Sequence, residues 1–269
     1  MKQAYVTMIT AGGEYVPGVE VLGESIRQSG SSEPLLLMAT PDEPKTALDG
    51  LASRGWEVSE IQPIANPSPD DELLFARFKH CFTKLRAFEL ADLEKAVFLD
   101  ADTVVLQNVD DLFGRPGMAA APDFFMPDQF NSGVMVFEPS RELFRHLVEA
   151  LAVAPTYDGG DQGFLNSFWP DWWAMSAEHR LSPGYNMPHF NFQFMHAHPA
   201  LNQRFLKQTK IVHYTLQKPW LNFMVTGGSN AWWQKYFSAH PEQFSEWRRR
   251  LHSIQDWSYE NVVAILGGD

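Results

Sequence analysis

The chain has little cysteine, little positive charge and no long hydrophobic run, and each shortage excludes a class of protein. Cys81 is the only cysteine among 269 residues, so no disulfide can form within the chain. No apolar stretch nears the ~20 residues that a membrane-spanning helix needs. The opening MKQAYVTMITAGGEY has one lysine and an apolar stretch broken by threonine. It reads as a first β-strand and lacks the charged, apolar and cleavage segments of a signal peptide. The one N-x-S/T triplet, Asn66-Pro67-Ser68, is disqualified as a glycosylation acceptor by its proline. A cytoplasmic location is the expectation. Lysine and arginine number 21 against 33 aspartates and glutamates, for a net charge of −12. That balance speaks against broad nucleic-acid binding, which needs basic surface for the phosphates. It allows an anionic substrate only through a mediating cation.

What is present is an alternating, core-forming pattern. Hydrophobic residues make up 45% of the chain, enough for a sizeable core. AYVTMITA and PLLLMAT read as strands. Between them YVPGVEVLGESIRQSG reads as a helix, with Val16, Val19, Leu22 and Ile26 at three- and four-residue spacings and Gly30 where a helix should stop. DGLASRGWEVSEIQPI gives a helix end, a turn and a strand. FTKLRAFELADL is helical by the spacing of Phe82, Leu85 and Phe88, and KAVFLDAD is a strand. MAAAPDF and FNSGVMVFEPS read as further strands, followed by helix RELFRHLVEAL. The alternation predicts an α/β sheet with crossover helices. PEQFSEWRRRLHSIQDW reads as an amphipathic helix whose Arg248, Arg249 and Arg250 form a solvated face.

One strand ends in an anomaly. The apolar run Val97-Phe98-Leu99 leads directly into two carboxylates one residue apart, Asp100 and Asp102. Ligands of open α/β sheets sit outside the carboxyl ends of strands, and residues i and i+2 of an extended backbone point to one side. Two converging oxygen ligands suit a divalent cation, which cancels their repulsion. The plainer alternative is a pair of solvated loop acids. Further on, Asn131-Ser132-Gly133 opens a strand, and Asp158-Gly-Gly-Asp161-Gln162 forms a turn before a helix. Ile211-Val212 then ends on His213, ahead of Lys218-Pro-Trp.

In this combination and order the pieces AYVTMIT, TKL, FLDADTVVLQNVDDLF, AAPD, FNSGV, DGGDQGFLN, YN and H…KPW resemble the glycogenin-type members of glycosyltransferase family 8, from about Ala4 to Trp220. The resemblance implies a retaining nucleotide-sugar transferase of GT-A fold. It would be a single domain over 1–269, a Rossmann-like mixed sheet flanked by helices, with a nucleotide-binding half at 1–100, a donor-sugar and acceptor half at 101–220 and a C-terminal helical extension at 221–269. It implies Asp100, Asp102 and His213 as metal ligands. An imidazole among them favours Mn²⁺ over Mg²⁺, and the cation would stabilise charge on the departing diphosphate. Lys218 would set a point charge on that diphosphate, although the HYTLQK loop is one residue shorter than the family's. Thr10 and Tyr15 would flank the uracil, in a TAGGEY loop one residue longer than usual, and Ala101 would touch the ribose through its backbone. Arg77 and Lys84 would lie near diphosphate and sugar. Asn131, Ser132, Asp158, Asp161 and Gln162 would face the donor sugar, with Asp161 as nucleophile by analogy with retaining glycosidases or as electrostatic stabiliser. A front-face attack is the other route, and sequence does not separate the two. The donor expected is UDP-glucose, with UDP-galactose next, and a homodimer is left open.

Structural readings stand beside these roles. Tyr15 is also placed to cap the first helix, and Trp172, in LNSFWPDWWAMS, matches a core aromatic, whereas Trp173 suits either core or a sugar platform. Two other functions compete with the transferase reading. FLDADTVV superficially resembles the first motif of Mg²⁺-dependent haloacid-dehalogenase-like phosphatases, but there the threonine falls one residue later and the motif usually opens the chain. A non-catalytic nucleotide-sugar binding module would keep the fold and lose ligands. The acceptor is expected to be a separate sugar or glycoconjugate. Glycogenin glucosylates its own tyrosine, and here that position falls near Gln193, with no tyrosine between Tyr185 and Tyr214.

Overall fold

The computed structural model describes residues 3–10, 12–67, 76–216, 218–220 and 230–241. A six-stranded sheet organises them, in the order β3-β2-β1-β4-β7-β6. Strands β1 (Gln3–Ile9), β2 (Leu35–Ala39), β3 (Trp56–Glu60) and β4 (Lys95–Leu99) run parallel to one another. The strand β7 (Phe130–Phe137) lies antiparallel to β4, and β6 (Ala119–Pro122) antiparallel to β7. Helices α1 (Val16–Gln28) and α2 (Lys45–Ser53) make the first two crossovers. Because both faces are covered, β1, β2 and β4 are apolar almost throughout, whereas the edge strand β3, WEVSE, is largely polar. The pleat of β4 divides its side chains: Val97 and Leu99 enter one core, with Val19, Leu22 and Ile26 of α1, and Ala96 and Phe98 enter the other, with Phe82, Leu85 and Phe88. Each buried ring is worth roughly 2–3 kcal/mol.

The predicted elements form, with two differences. The helical segment expected over FTKLRAFELADL starts earlier and ends earlier, at Ala76–Glu89, and winds as a tight 3₁₀-type helix. The backbone at Asp100–Asp102 is not extended, because β4 stops at Leu99 and a turn follows, closed by Thr103 N–H to Asp100 O at 3.1 Å. The carboxylates therefore converge across a turn, and not by strand alternation. That turn leads into a second, three-stranded sheet in the order β5-β9-β8, of β5 (Thr103–Val105), β8 (Met187–Pro188) and β9 (Ile211–His213). The helix α3 (Arg141–Ala150) packs on the Ala76–Glu89 segment, and α4 (Asp161–Phe168) on β7. Helices α5 (His189–Ala197), α6 (Pro199–Gln208) and α7 (Asn230–Ala239) complete the described chain. The amphipathic helix expected at PEQFSEWRRRLHSIQDW and most of the 221–269 extension lie outside the described residues. Among those described, no helix is long and apolar enough to cross a membrane.

The order β2-β1-β4 contains the sheet's switch point, since the chain leaves β1 toward β2 on one side and returns to β4 on the other. The crevice outside the carboxyl ends of β1 and β4 is where such a sheet takes ligands. Thr10 and the Gly12–Gly13 loop stand at the end of β1, and Asp100 at the end of β4.

Candidate active site

Four segments meet at this crevice. The Asp100–Asp102 turn is fixed on both sides, by Asp100 N–H to Gly133 O at 2.8 Å and by Tyr214 N–H to Asp102 O at 2.9 Å. Those bonds draw the start of β7 and the end of β9 onto the turn, and the first turn of α4 adds Asp161 and Gln162. Asp100, Asp102 and His213 then present ligand atoms within 4.8 Å of one another. His213 Nε2 lies 3.2 Å from Asp102 Oδ1 and 3.7 Å from Asp100 Oδ2.

The tautomer of His213 follows from a chain of partners that begins at a residue the sequence did not single out. Asp123 Oδ2 can only accept, and Asn131 donates its amide to it at 3.1 Å. Asn131 Oδ1 therefore faces the other way, where it accepts from Gly133 N–H at 3.0 Å and from the Asn186 amide at 2.8 Å. That leaves Asn186 Oδ1 against His213 Nδ1 at 2.8 Å. Nδ1 accordingly carries a proton toward Asn186, and Nε2 is the ring nitrogen turned to the two aspartates, the one a bound metal would take. Gly133 makes the arrangement possible, because a Cβ there would meet His213 Cε1 at 2.2 Å and Nδ1 at 2.6 Å.

Two lysines balance the carboxylates. Lys84, buried on the Ala76–Glu89 segment, puts Nζ 3.0 Å from Asp100 Oδ1 and 2.8 Å from Asp161 Oδ2. Lys218 pairs with Asp102 and donates to Tyr214 O at 2.6 Å, so the short HYTLQK loop still brings it to the site. Three carboxylates and two ammonium groups leave one net negative charge before His213 or a cation is counted. Burial lifts the pKa of Asp100, and Lys84 only partly offsets it. Burial works the same way on Asp102, but Lys218 and His213 outweigh it and hold its pKa well below the ordinary carboxylate value. Lys84 is the mirror case: burial would lower its pKa, but Asp100 and Asp161 keep it well above the usual lysine range.

The other expected residues separate into groups. Ser132 Oγ donates to Asp161 Oδ2 at 2.9 Å, and Gln162 donates to Asp123 Oδ2 at 3.2 Å, so Asn131, Ser132, Asp161 and Gln162 form one network. Asp158 Oδ1 accepts from Thr156 Oγ1 at 2.9 Å and from the N–H groups of Gly160 at 2.9 Å and Gly163 at 3.1 Å, shaping the turn ahead of α4. Ala101 is buried within the aspartate turn. Thr10 is half-buried, and Tyr15 takes the cap position of α1 with its ring edge-on to Trp220 at 5.4 Å. Arg77 belongs to the Ala76–Glu89 segment, but its side chain lies outside the described residues. Trp172 is core, packed edge-on against Phe130, whereas Trp173 is half-exposed under the Arg180 guanidinium.

Sequence reasoning missed Asp123, Asn186 and Glu43 as site residues. The first two stand in the quoted AAPD and YN segments, but Asn186 lies 27 positions before its partner His213, and no local spacing joins them. Glu43 Oε1 accepts from Gly12 N–H at 3.1 Å, and its Oε2 is buried with no partner among the described residues. It holds a loop whose two glycines adopt φ +74° and +93°, a backbone only glycine adopts freely. Burial raises the Glu43 pKa.

A sequence model described as Glycosyl transferase family 8 matches residues 6–116. Glycogenin-1 of Mus musculus is 32% identical over 252 residues, which cover 91% of this chain and 74% of that protein. Inositol phosphorylceramide glucuronosyltransferase 1 of Arabidopsis thaliana is 40% identical over 170 residues, 63% of this chain and 30% of that protein. The chain spans 30% to 65% of the length of several such relatives. The fold is that of the galactosyltransferase LgtC solved with donor and acceptor sugar analogs, with a TM-score of 0.62 at 16% identity over 87% of this chain and 95% of that one.

Proposed function

The chain belongs to glycosyltransferase family 8, and from that premise we propose that it moves a hexose from a UDP-linked donor to a separate sugar or glycoconjugate acceptor with retention of configuration. The observation that carries this reading is the Asp100–Asp102–His213 cluster with its tautomer-fixing partners and flanking lysines. Mn²⁺ is the cation proposed for that cluster, where it would act as Lewis acid on the diphosphate leaving group. Two carboxylates and one neutral imidazole suit it.

The protein's own groups do the rest. Lys218, now paired with Asp102, supplies positive charge to the leaving diphosphate. Lys84, Asp161 and Ser132 form a preorganised set beside the donor sugar. Asp161 Oδ2 is engaged by an ammonium at 2.8 Å and a hydroxyl at 2.9 Å, which weakens it as a nucleophile and supports a positioning and electrostatic role. Asn131, Gln162 and Asp123 offer a fixed hydrogen-bonding set to the sugar hydroxyls, so an epimer would leave buried groups unpaired. Lys84 is committed to Asp100 and Asp161 and Lys218 is assigned to the diphosphate, so neither is assigned to a sugar carboxylate, which supports a neutral hexose, UDP-glucose first and UDP-galactose next, over a uronate. Thr10, Tyr15 and the Gly12–Gly13 loop held by Glu43 take the nucleoside end. The single cysteine fits a reducing, cytoplasmic setting. Self-glucosylation is not part of this reading, because the exposed Gln193 on α5 has no hydroxyl to offer.

The test is UDP release from a panel of nucleotide sugars with and without Mn²⁺. Turnover should prefer a UDP-hexose, vanish with excess chelator and vanish in Asp102→Ala. Full activity in chelator, or a clear preference for a GDP- or CMP-sugar, would reject the reading. Intact mass after incubation with UDP-glucose should stay unchanged. A protein that binds UDP-sugars without any turnover would instead be a binding module.

A further inference from the structure

An aromatic surface borders the charged site, and donor chemistry makes no use of it. It begins one residue from Asp123. That carboxylate faces two ways: Oδ2 accepts from Asn131 and Gln162 inside the site, and Oδ1 accepts from the N–H groups of Phe125 at 2.9 Å and Met126 at 3.2 Å. One side chain thus fastens the loop between β6 and β7 to the donor-sugar network. The loop turns its apolar side chains outward, with Phe124 51% and Phe125 73% exposed.

A second element meets it. Helix α5 begins three residues after Asn186, the partner of His213. The Phe190 ring lies 5.3 Å from Phe124, edge-on, and 6.1 Å from Phe125, stacked. Phe194 stands one helical turn further along the same face and is also exposed. Three phenylalanines in ring contact, with Phe194 one turn beyond on α5, come from two segments each anchored within a few residues of the site and make an apolar border on a chain of net charge −12. Their side chains offer no hydrogen-bond partner to sugar hydroxyls, and the N–H groups of Phe125 and Met126 are spent inward on Asp123. The charge also disfavours an anionic membrane surface as the occupant.

We propose that the acceptor is a glycoside with an apolar aglycone. Its sugar lies over Asp161 and Gln162, and its hydrocarbon or aryl portion lies on Phe124, Phe125, Phe190 and Phe194. The proposal rests on the transferase reading above and names the substrate class of that same site.

The experiment compares octyl, 4-nitrophenyl and methyl β-glucosides as acceptors for UDP-glucose with Mn²⁺, read by product mass and UDP release. The octyl and nitrophenyl glucosides should show KM values at least about tenfold below the methyl glucoside. The two arms separate a hydrocarbon aglycone from an aromatic one. In Phe125→Ser/Phe190→Ser that ratio should fall toward one, and Phe125→Ser alone, at the most exposed ring, gives a smaller fall without risk to the fold. Equal KM values in the wild type, or an undiminished ratio in both variants, would overturn the proposal. Calorimetric binding of octyl against methyl glucoside gives a readout independent of turnover. If no donor is turned over, the transferase reading fails, and tighter octyl binding that the variants lose would still support the apolar site, while equal binding would overturn it. A change from dimer to monomer on sedimentation in the double variant, with the glucoside ratio intact, would assign the surface to a second copy of the chain and overturn the proposal as well.

Discussion

Replacing Gly133 with alanine tests the geometry of the metal cluster through one methyl group. The added Cβ would stand 2.2 Å from His213 Cε1 and 2.6 Å from Nδ1, where ordinary contact begins at 3.4 Å. The ring must therefore retreat by about 1.2 Å, and it has little freedom to do so. His213 is paired in register with Thr103 across β5 and β9, its Nδ1 is held by Asn186, and it is nearly fully buried. Overpacking of this kind costs about 1–3 kcal/mol, which in a chain of this size lowers Tm by roughly 2–10 °C. The larger effect is on function. A ligand moved by about 1 Å loses its place in the coordination set, and displacements of that size cost on the order of 100-fold in rate. Calorimetric Mn²⁺ binding and UDP release over an Mn²⁺ titration should show weaker metal binding and a turnover loss only partly recovered by excess metal. The control is a double-mutant cycle. In a His213→Ala background both ring contacts are gone and only Asn131 Oδ1, 3.0 Å from the added Cβ, stays tight, so Gly133→Ala should then cost clearly less in Tm. Wild-type Mn²⁺ affinity in Gly133→Ala, or an equal Tm loss with and without His213, would refute the reasoning.

Three other outcomes follow from the same geometry. Asn186→Ala removes the acceptor that keeps the proton on His213 Nδ1, and Mn²⁺ affinity should fall by about 10–100-fold with little change in far-UV circular dichroism; unchanged affinity would break the proposed relay from Asp123. Lys84→Met leaves Asp100 and Asp161 without their shared ammonium, a loss of about 3–5 kcal/mol in denaturant unfolding that added Mn²⁺ should partly reverse; a variant as stable as wild type would mean that the pair contributes nothing. His189 is buried against the Tyr214 ring, and burial pushes its pKa down from 6.5 to about 4. Between those values the unfolded chain binds the proton and the folded chain does not, so its contribution is full above about pH 6.5 and is lost as pH falls toward 4. The loss amounts to at most roughly 3 kcal/mol, and His189→Phe, which keeps the ring on Tyr214, should flatten the urea-midpoint profile over that range.

Much of the fold was legible because the signals are local. The apolar runs of β1, β2 and β4, the three- and four-residue spacing of α1, and Gly30 at a φ of +92° after it follow from periods of two and 3.6 that a chain must satisfy wherever a face is buried. The Asp100 and Asp102 pair was legible too, because two like charges one residue apart after a buried strand demand a counter-charge, whereas His213 entered through the family resemblance. The sequence pointed to a cation as that counter-charge. The folded chain adds Lys84 and Lys218, 16 and 116 positions away from their aspartates, and sequence distance carries no trace of such pairings. The same limit hid the relay from Asp123 through Asn131 and Asn186 to His213, whose members are joined across separations of 8, 55 and 27 residues. It also hid the meeting of Phe124 and Phe125 with Phe190, since each stretch alone reads as ordinary apolar chain. Residue types and short-range periodicity are written in the sequence and set the elements and the inventory of groups. Which donor faces which acceptor, which tautomer an imidazole holds and which rings stay outside are decided only when the two sheets close around the Asp100–Asp102 turn, because each depends on partners brought together by the whole chain.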